Sequence, residues 1–227
     1  MKNLLALAAG ATLIGAAPAA PTNWLNAASV GPNGAVITGK PNAKVRLVEY
    51  ISYTCGHCAQ FIGEAATPLK RDYVAKGLVA VELRNAVRDQ FDFAASLVAR
   101  CGAPSRFSGN TELLMATQGQ WLGRANGFIQ ANGERLSKLP IDAQLKAVVR
   151  GVGIDKIMAP RGYTAAQLDV CVADKNTQKA LIGMAKEAFE VRKIEGTPTF
   201  LVNGTTLENA GSWAIVEPAI KTALSVQ

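Results

Sequence analysis

What this chain lacks narrows its chemistry before any motif is read. It has one histidine, His57, and four cysteines among 227 residues. A structural zinc site wants four ligands, usually as two Cys/His pairs at short spacing. Only Cys55 and Cys58 are paired; Cys101 and Cys171 lie far apart and in no paired motif. Zinc is therefore set aside, and no metal is expected. There is no run of five lysines or arginines and no basic stripe interleaved with aromatics. The net charge of +7 and the pI near 9.4 then describe a solvated surface that aids solubility or meets acidic partners. Nucleic acid is excluded as a partner on the same ground. Beyond the N-terminal region no stretch is long and apolar enough to span a bilayer. No internal repeat, low-complexity tract, or methionine- or histidine-rich segment is found.

The N-terminus itself reads as an address. Met1-Lys2 gives a positive start, Leu4 to Ala17 is a short apolar run, and Ala17-Pro18-Ala19 offers the small residues that a signal peptidase reads. Residues 1–19 are expected to be a signal peptide; a buried N-terminal helix is the alternative. Export suits the cysteines, since an oxidising compartment lets an even number pair. A Cys101–Cys171 disulfide would close a loop of about 70 residues, worth roughly 4 kcal/mol in the chain-entropy account. The competing reading makes both cysteines small buried residues.

One stretch organises the rest. Val45 to Ile51 reads as a buried strand, Ser52-Tyr53-Thr54 as a polar break, and Cys55-Gly56-His57-Cys58 as a Cys-X-X-Cys pair opening a helix. Two thiols at a helix start can close as a disulfide, and the helix's unpaired N–H groups and partial positive charge stabilise a thiolate at the first. Such a small ring is strained and readily reduced, which suits exchange better than bracing. Glu49 is an acid among Leu47, Val48, Tyr50 and Ile51. It is either an exposed alternate position or a buried carboxylate with a raised pKa that could relay protons.

Around that stretch the pattern predicts a helical turn over Thr22 to Ser29 and an edge strand over Ala35 to Thr38. A helix over Ala59 to Lys76, kinked at Thr67-Pro68, and a strand over Leu78 to Val87 follow. Helical segments then run over Phe91–Arg100, from Asn110 through Met115, Trp121–Ile129 ended by Asn132-Gly133, Asp142–Arg150, Thr164–Ala173 and Lys175–Arg192. Met115, Trp121 and Phe128 at helical spacing are assigned to the core. The chain closes with a strand over Thr199–Val202, an Asn203-Gly204 hairpin turn, a return over Thr205–Leu207, and a helix over Gly211–Leu224 with Ser212 as candidate N-cap.

Cys-Gly-His-Cys after a strand, joined to Gly196-Thr197-Pro198-Thr199-Phe200 ahead of a hairpin, resembles the thioredoxin fold. The 140 positions between Cys58 and Pro198 leave room for a helical domain, the mark of the DsbA-like family of periplasmic thiol–disulfide oxidoreductases. Leu47-Val48-Glu49-Tyr50, with Glu49 six residues before Cys55, also looks like that family's strand and favours a buried Glu49. The resemblance covers residues 35 to 225. It implies an α/β class, a thioredoxin fold with an inserted all-helical domain. The divisions are a lead-in over 20–34, a thioredoxin-like part over 35–88, the helical insertion over 89–188 and the second thioredoxin-like part over 189–227. It further implies a cis Thr197–Pro198 bond packed against the pair, leaving a backbone edge for an extended substrate segment.

The roles that follow are Cys55 as nucleophile, Cys58 as buried partner, His57 and the helix terminus as stabilisers of the Cys55 thiolate, and Glu49 as proton relay. Thr197 and Pro198 would bind substrate. No cofactor is expected. The expected partners are exported client proteins with cysteine thiols and a membrane redox protein that reoxidises the pair; a periplasmic monomer is the expected form. Two residues depart from the strong oxidases of the family. Gly56-His57 stands where many carry Pro-His, and Thr197 before the proline is more usual in isomerase and reductase branches. A disulfide isomerase or reductase is thus the alternative, although no N-terminal dimerisation domain is seen. From another class, a thioredoxin-like module holding Cu(I) through Cys55 and Cys58 is the further alternative.

Overall fold

The computed structural model describes residues 22–226. The expected signal peptide and the first two residues of the lead-in lie outside the described residues. Trp24–Asn26 forms a single helical turn, capped by the Asn23 side chain on the Leu25 N–H. The remainder of the expected turn is instead strand β1, Ala28–Val30. β1 pairs antiparallel with β2, Val36–Thr38, which is therefore an inner strand and not the edge strand expected for Ala35 to Thr38. Three residues are too short to announce a strand by alternation, and Gly34 with φ +82° makes the turn that folds β1 back.

The six strands run in the order β1-β2-β4-β3-β5-β6. At the centre lies β3, Val45–Ile51, parallel to β4, Val79–Asn85, and antiparallel to β5, Thr199–Val202; β6, Thr205–Thr206, closes the far edge. Glu49 stands in register with Leu83 on one side and Phe200 on the other. Every β3 residue but Arg46 is buried, which explains a near-continuous apolar strand flanked on both faces by helices.

Helix α1, Gly56–Pro68, follows β3 at once. Pro68 has no N–H to give, so the regular helical ladder ends there. The chain continues through a wider, π-helical turn over Leu69–Val74. Between β4 and β5 come α2, Gln90–Ala99; α3, Phe107–Ala116; α4, Gln118–Leu122; α5, Ala125–Ser137; α6, Ile141–Gly151; α7, Ile154–Met158; α8, Ala165–Ala173; and α9, Lys175–Lys186. The helix expected to stop at Asn132-Gly133 runs straight through, because Asn132 Nδ2 bonds back to the Phe128 carbonyl at 3.0 Å instead of breaking the ladder. The break comes earlier, at Gly123-Arg124, between α4 and α5. Helix α7 carried no periodic signal; Gly153, with φ +78°, turns the chain into it. A final helix α10, Trp213–Ser225, starts after Ser212, but Ser212 makes no capping bond; Glu64 Oε2 accepts the Trp213 N–H at 3.2 Å in its place.

One apolar core joins the sheet to the insertion: Leu47, Ile51 and Phe61 belong to the same buried cluster as Leu97, Trp121 and Leu145. Met115 and Trp121 are buried there, and Phe128 packs against the cluster from its rim. The helices between β4 and β5 are therefore packed onto the sheet and share its core.

Cys101 and Cys171 form a disulfide, with Cα atoms 5.4 Å apart, that ties the end of α2 to α8 across 70 positions. Replacing both by serine is expected to cost about 2–4 kcal/mol of unfolding free energy. Urea denaturation checks it; an unchanged midpoint would mean that the bridge restricts nothing the folded insertion does not already hold.

Candidate active site

Strand β3 delivers the chain to a tight turn in which the Cys55 N–H bonds the Ser52 carbonyl at 3.1 Å. Cys55 then takes an extended conformation (φ −95°, ψ 116°) as the residue before the first turn of α1, where backbone N–H groups have no helical acceptor. Cys58 is fully buried, one helical turn on, and Cys55 is 6% exposed. Both are free thiols, so the site is in its dithiol state.

Their surroundings drive the two thiols in opposite directions. Cys55 is pulled down to about 4, chiefly by a hydrogen bond from the Cys58 thiol, against the cost of burial, with help from Thr197 and the backbone N–H groups of Cys58 and His57. Cys58 is pushed far above the ordinary thiol range, first by burial and then by the neighbouring Cys55. One sulfur is therefore anionic at neutral pH and the other holds its proton.

His57 is exposed, and among the described residues its ring has no hydrogen-bond partner. What it lends to the Cys55 thiolate is its main-chain N–H. Gly56 is also exposed, and a Cβ added there would meet no atom within 4 Å. Packing therefore does not require glycine at this position.

The second motif closes over the first. The Thr197–Pro198 bond is cis, and the Thr197 carbonyl lies 3.0 Å from the Cys55 sulfur, which donates to it as a thiol. The Thr197 hydroxyl is buried without a partner. It is a donor in reserve for the moment the sulfur loses its own proton. Beside Pro198 a cavity of about 640 Å³ opens to solvent, lined by His57, Thr197, Pro198, Thr199 and Asn209 among others.

Glu49 of β3 is 4% exposed, with Oε1 lacking any hydrogen-bond partner. Burial alone raises its carboxyl to about 7. It borders a small cavity of about 70 Å³, room for a few waters, whose other walls include Phe61, Ile62 and Thr111. Lys70 and Glu112, paired at 2.9 Å, and Ser108 also line it.

The sequence reading missed the residues that hold the turn. Asp92 of α2 is fully buried and accepts from the N–H groups of Tyr53 at 2.8 Å and Arg88 at 3.0 Å. Arg88 donates to Ser52 Oγ at 3.0 Å and Thr54 Oγ1 at 3.3 Å, and Thr54 Oγ1 donates to Asp89 Oδ2 at 2.7 Å. Gln118 of α4 donates to the carbonyls of Tyr53 and Cys55, both at 2.9 Å. One signal was legible: Asp89 just before Phe91 is an N-cap, and its Oδ1 accepts from the N–H groups of Phe91 and Asp92. Nothing in the sequence marked Asp92 or Gln118, since an acid or amide at helical spacing normally faces water.

Comparison with known proteins agrees with this geometry. The sequence model of the thioredoxin family matches residues 32–222. The crystal structure of a protein-disulfide isomerase from Novosphingobium aromaticivorans is 34% identical, covering 84% of this chain and 97% of that one, with a TM-score of 0.77. Alpha-DsbA1 of Wolbachia pipientis has the same fold at 18% identity, covering 86% of this chain and 92% of its own, with a TM-score of 0.67. A Rickettsia bellii protein, provisionally named a protein-disulfide oxidoreductase, is 25% identical over 77% of this chain. The chain spans 59% of that relative's length and similar shares of its Rickettsia counterparts. With the family model, the fold and both sequence motifs in register, the chain belongs to the thioredoxin family.

Proposed function

We propose that the protein is a thiol–disulfide oxidoreductase that donates disulfides to exported proteins in the periplasm. The observation that carries this is the split between the sulfurs: Cys55 anionic, Cys58 buried and protonated, and the Thr197–Pro198 bond packed on the former.

In the oxidised enzyme a client thiolate attacks the Cys55 sulfur, the Cys55–Cys58 bond breaks, and Cys58 leaves with the electron pair. Because its environment disfavours the anion, Cys58 must take a proton as it leaves. Glu49, a buried carboxyl raised to about 7 on the strand that leads into the pair, is the candidate donor. A second client thiolate then attacks the client sulfur of the mixed disulfide. Cys55 departs as the thiolate that His57 N–H, Cys58 and Thr197 stabilise. The client gains a disulfide and the pair gains two electrons, which a membrane redox partner would remove. The edge at Thr197 and Pro198, facing the 640 Å³ groove, offers strand-like pairing to an extended client segment.

The thiolate sets the direction of flow. A pKa near 4 in place of about 9 stabilises the reduced form at pH 7 by roughly 4 kcal/mol, or about 2–4 kcal/mol after allowance for solvent screening. That is on the order of 50–90 mV toward oxidation. The sign is that of a depressed acid: the gain is complete above the ordinary thiol pKa, declines as pH falls, and vanishes below about 4. Equilibration with glutathione is expected to give a potential above about −180 mV, with rapid oxidation of reduced ribonuclease. A value below about −230 mV would assign reductase chemistry instead.

A second reading has one specific support: the solved neighbour at 34% identity is described as an isomerase, and Gly56-His57 and Thr197 point the same way. An isomerase would reactivate scrambled ribonuclease faster than it oxidises the reduced form. Cu(I) binding would rest on Cys55 and Cys58 alone, since among the described residues no group of three or more His, Cys, Asp or Glu is placed to hold a metal.

A further inference from the structure

Tyr53, two residues before the nucleophile, has all three of its polar groups bonded to the helical insertion. Its N–H donates to Asp92 Oδ1 on α2 at 2.8 Å, its hydroxyl lies 2.7 Å from Thr111 Oγ1 on α3, and its carbonyl accepts from Gln118 Nε2 on α4 at 2.9 Å. The second hydrogen of that Gln118 amide goes to the Cys55 carbonyl, also at 2.9 Å. Gln118 is 9% exposed. Both of its amide hydrogens are thus committed to the turn that carries the reactive sulfur. The Cys55 carbonyl is also the first acceptor of α1, bonded by the Ala59 N–H at 3.2 Å. Gln118 therefore holds the opening carbonyl of the helix whose free N–H groups serve the thiolate.

We propose that Gln118 is a positioning residue for thiol–disulfide exchange, clamping the carbonyls of Tyr53 and Cys55 so that the N–H groups of His57 and Cys58 stay aimed at the Cys55 sulfur. This rests on the oxidoreductase reading above and adds to it a part played by the insertion. The amide satisfies both carbonyl oxygens and fixes the plane of each peptide unit. Without it, the Tyr53 carbonyl is buried with no other donor shown, the peptide can rotate, and the N–H groups that stabilise the thiolate drift off line. The shared core carries the same consequence outward. Any shift of the insertion on the sheet pulls on Tyr53 at three points and so alters how well the thiolate is held.

The test is a titration of Cys55 by thiolate absorbance, with the glutathione equilibrium measured on the same samples. Gln118→Leu keeps the bulk and removes both donors; it is expected to raise the Cys55 pKa by about one unit and make the pair about tenfold less oxidising. Gln118→Glu, which sets a carboxylate against the two carbonyls, is expected to shift both further in the same direction. Thr117→Val is the control. Its hydroxyl bonds only back along the helix, to the Leu113 carbonyl at 2.7 Å and more weakly to that of Leu114, so it loosens the start of α4 without touching the turn. It is expected to leave the titration unchanged. Should Gln118→Leu not fold, Gln118→Met carries the same expectation. A pKa and an equilibrium within twofold of the parent in the Leu or Met variant, or an equal shift in Thr117→Val, overturns the proposal. Neither readout needs a client protein, so failure here is distinct from failure of the oxidoreductase reading, which turnover by Cys55→Ser tests.

Discussion

Serine at position 55 is expected to lower turnover on a reduced client by at least about a thousandfold, while leaving the fold intact. A hydroxyl cannot share a bond with Cys58 that a client thiolate could attack, and it stays protonated where the thiol is anionic. Cys58→Ser separates the two sulfurs further. Serine keeps a donor beside Cys55, so the thiolate persists and attacks a client disulfide. With no second sulfur to release it, the mixed disulfide accumulates. A non-reducing gel reads both outcomes: free enzyme with Cys55→Ser, a client-linked band with Cys58→Ser. Undiminished turnover by Cys55→Ser would end the assignment of Cys55 as nucleophile. A Cys58→Ser variant that turned over without a trapped intermediate would mean that an outside thiol does the resolving.

How far this site was legible in the sequence depends on whether a residue's job is announced by its neighbours in the chain. Cys55 and Cys58 were plain because three positions on one helix start is a local pattern, and Pro198 was plain because its strand and hairpin turn follow it directly. Strands Val45–Ile51 and Thr199–Val202 fell where expected, since buried central strands are short, apolar and bounded by turn residues. Glu49 left two readings on the strand pattern alone; the family resemblance favoured burial, and the structure has it buried between Leu83 and Phe200. Gln118 and Asp92 could not be found this way. Their partners lie 65 and 39 positions away, and on their own helices they look like solvent-facing residues. Strand β1 was missed for a related reason: three half-exposed residues become a strand only when β2 is there to pair. The insertion's helices were legible as periods, but their ends were set by glycines and side-chain bonds specific to the packed state.

At pH 8, Glu49→Gln is expected to make the protein about 2–3 kcal/mol more stable and to slow client oxidation by about tenfold to a hundredfold. Both effects come from one cause. Burial raises the Glu49 carboxyl from its ordinary value to about 7, and a raised acid costs stability only where the unfolded chain has lost its proton and the folded chain resists losing it. The penalty is absent below about pH 4.5, grows as pH rises toward 7 and is complete above it, where 2.5 pH units correspond to roughly 3 kcal/mol. Glutamine keeps the shape and removes the charge, so the two proteins should unfold at the same urea concentration near pH 4 and diverge steadily above 5. Oε1 has no protein partner, so little hydrogen bonding is exchanged. The kinetic cost has the opposite sign because glutamine cannot hand a proton to Cys58 as it leaves. A stability gap that did not change with pH would show that Glu49 is ionised without penalty, and the relay would lose its physical basis. Equal rates in the two proteins across pH 6–8 would show that the proton reaches Cys58 by another road.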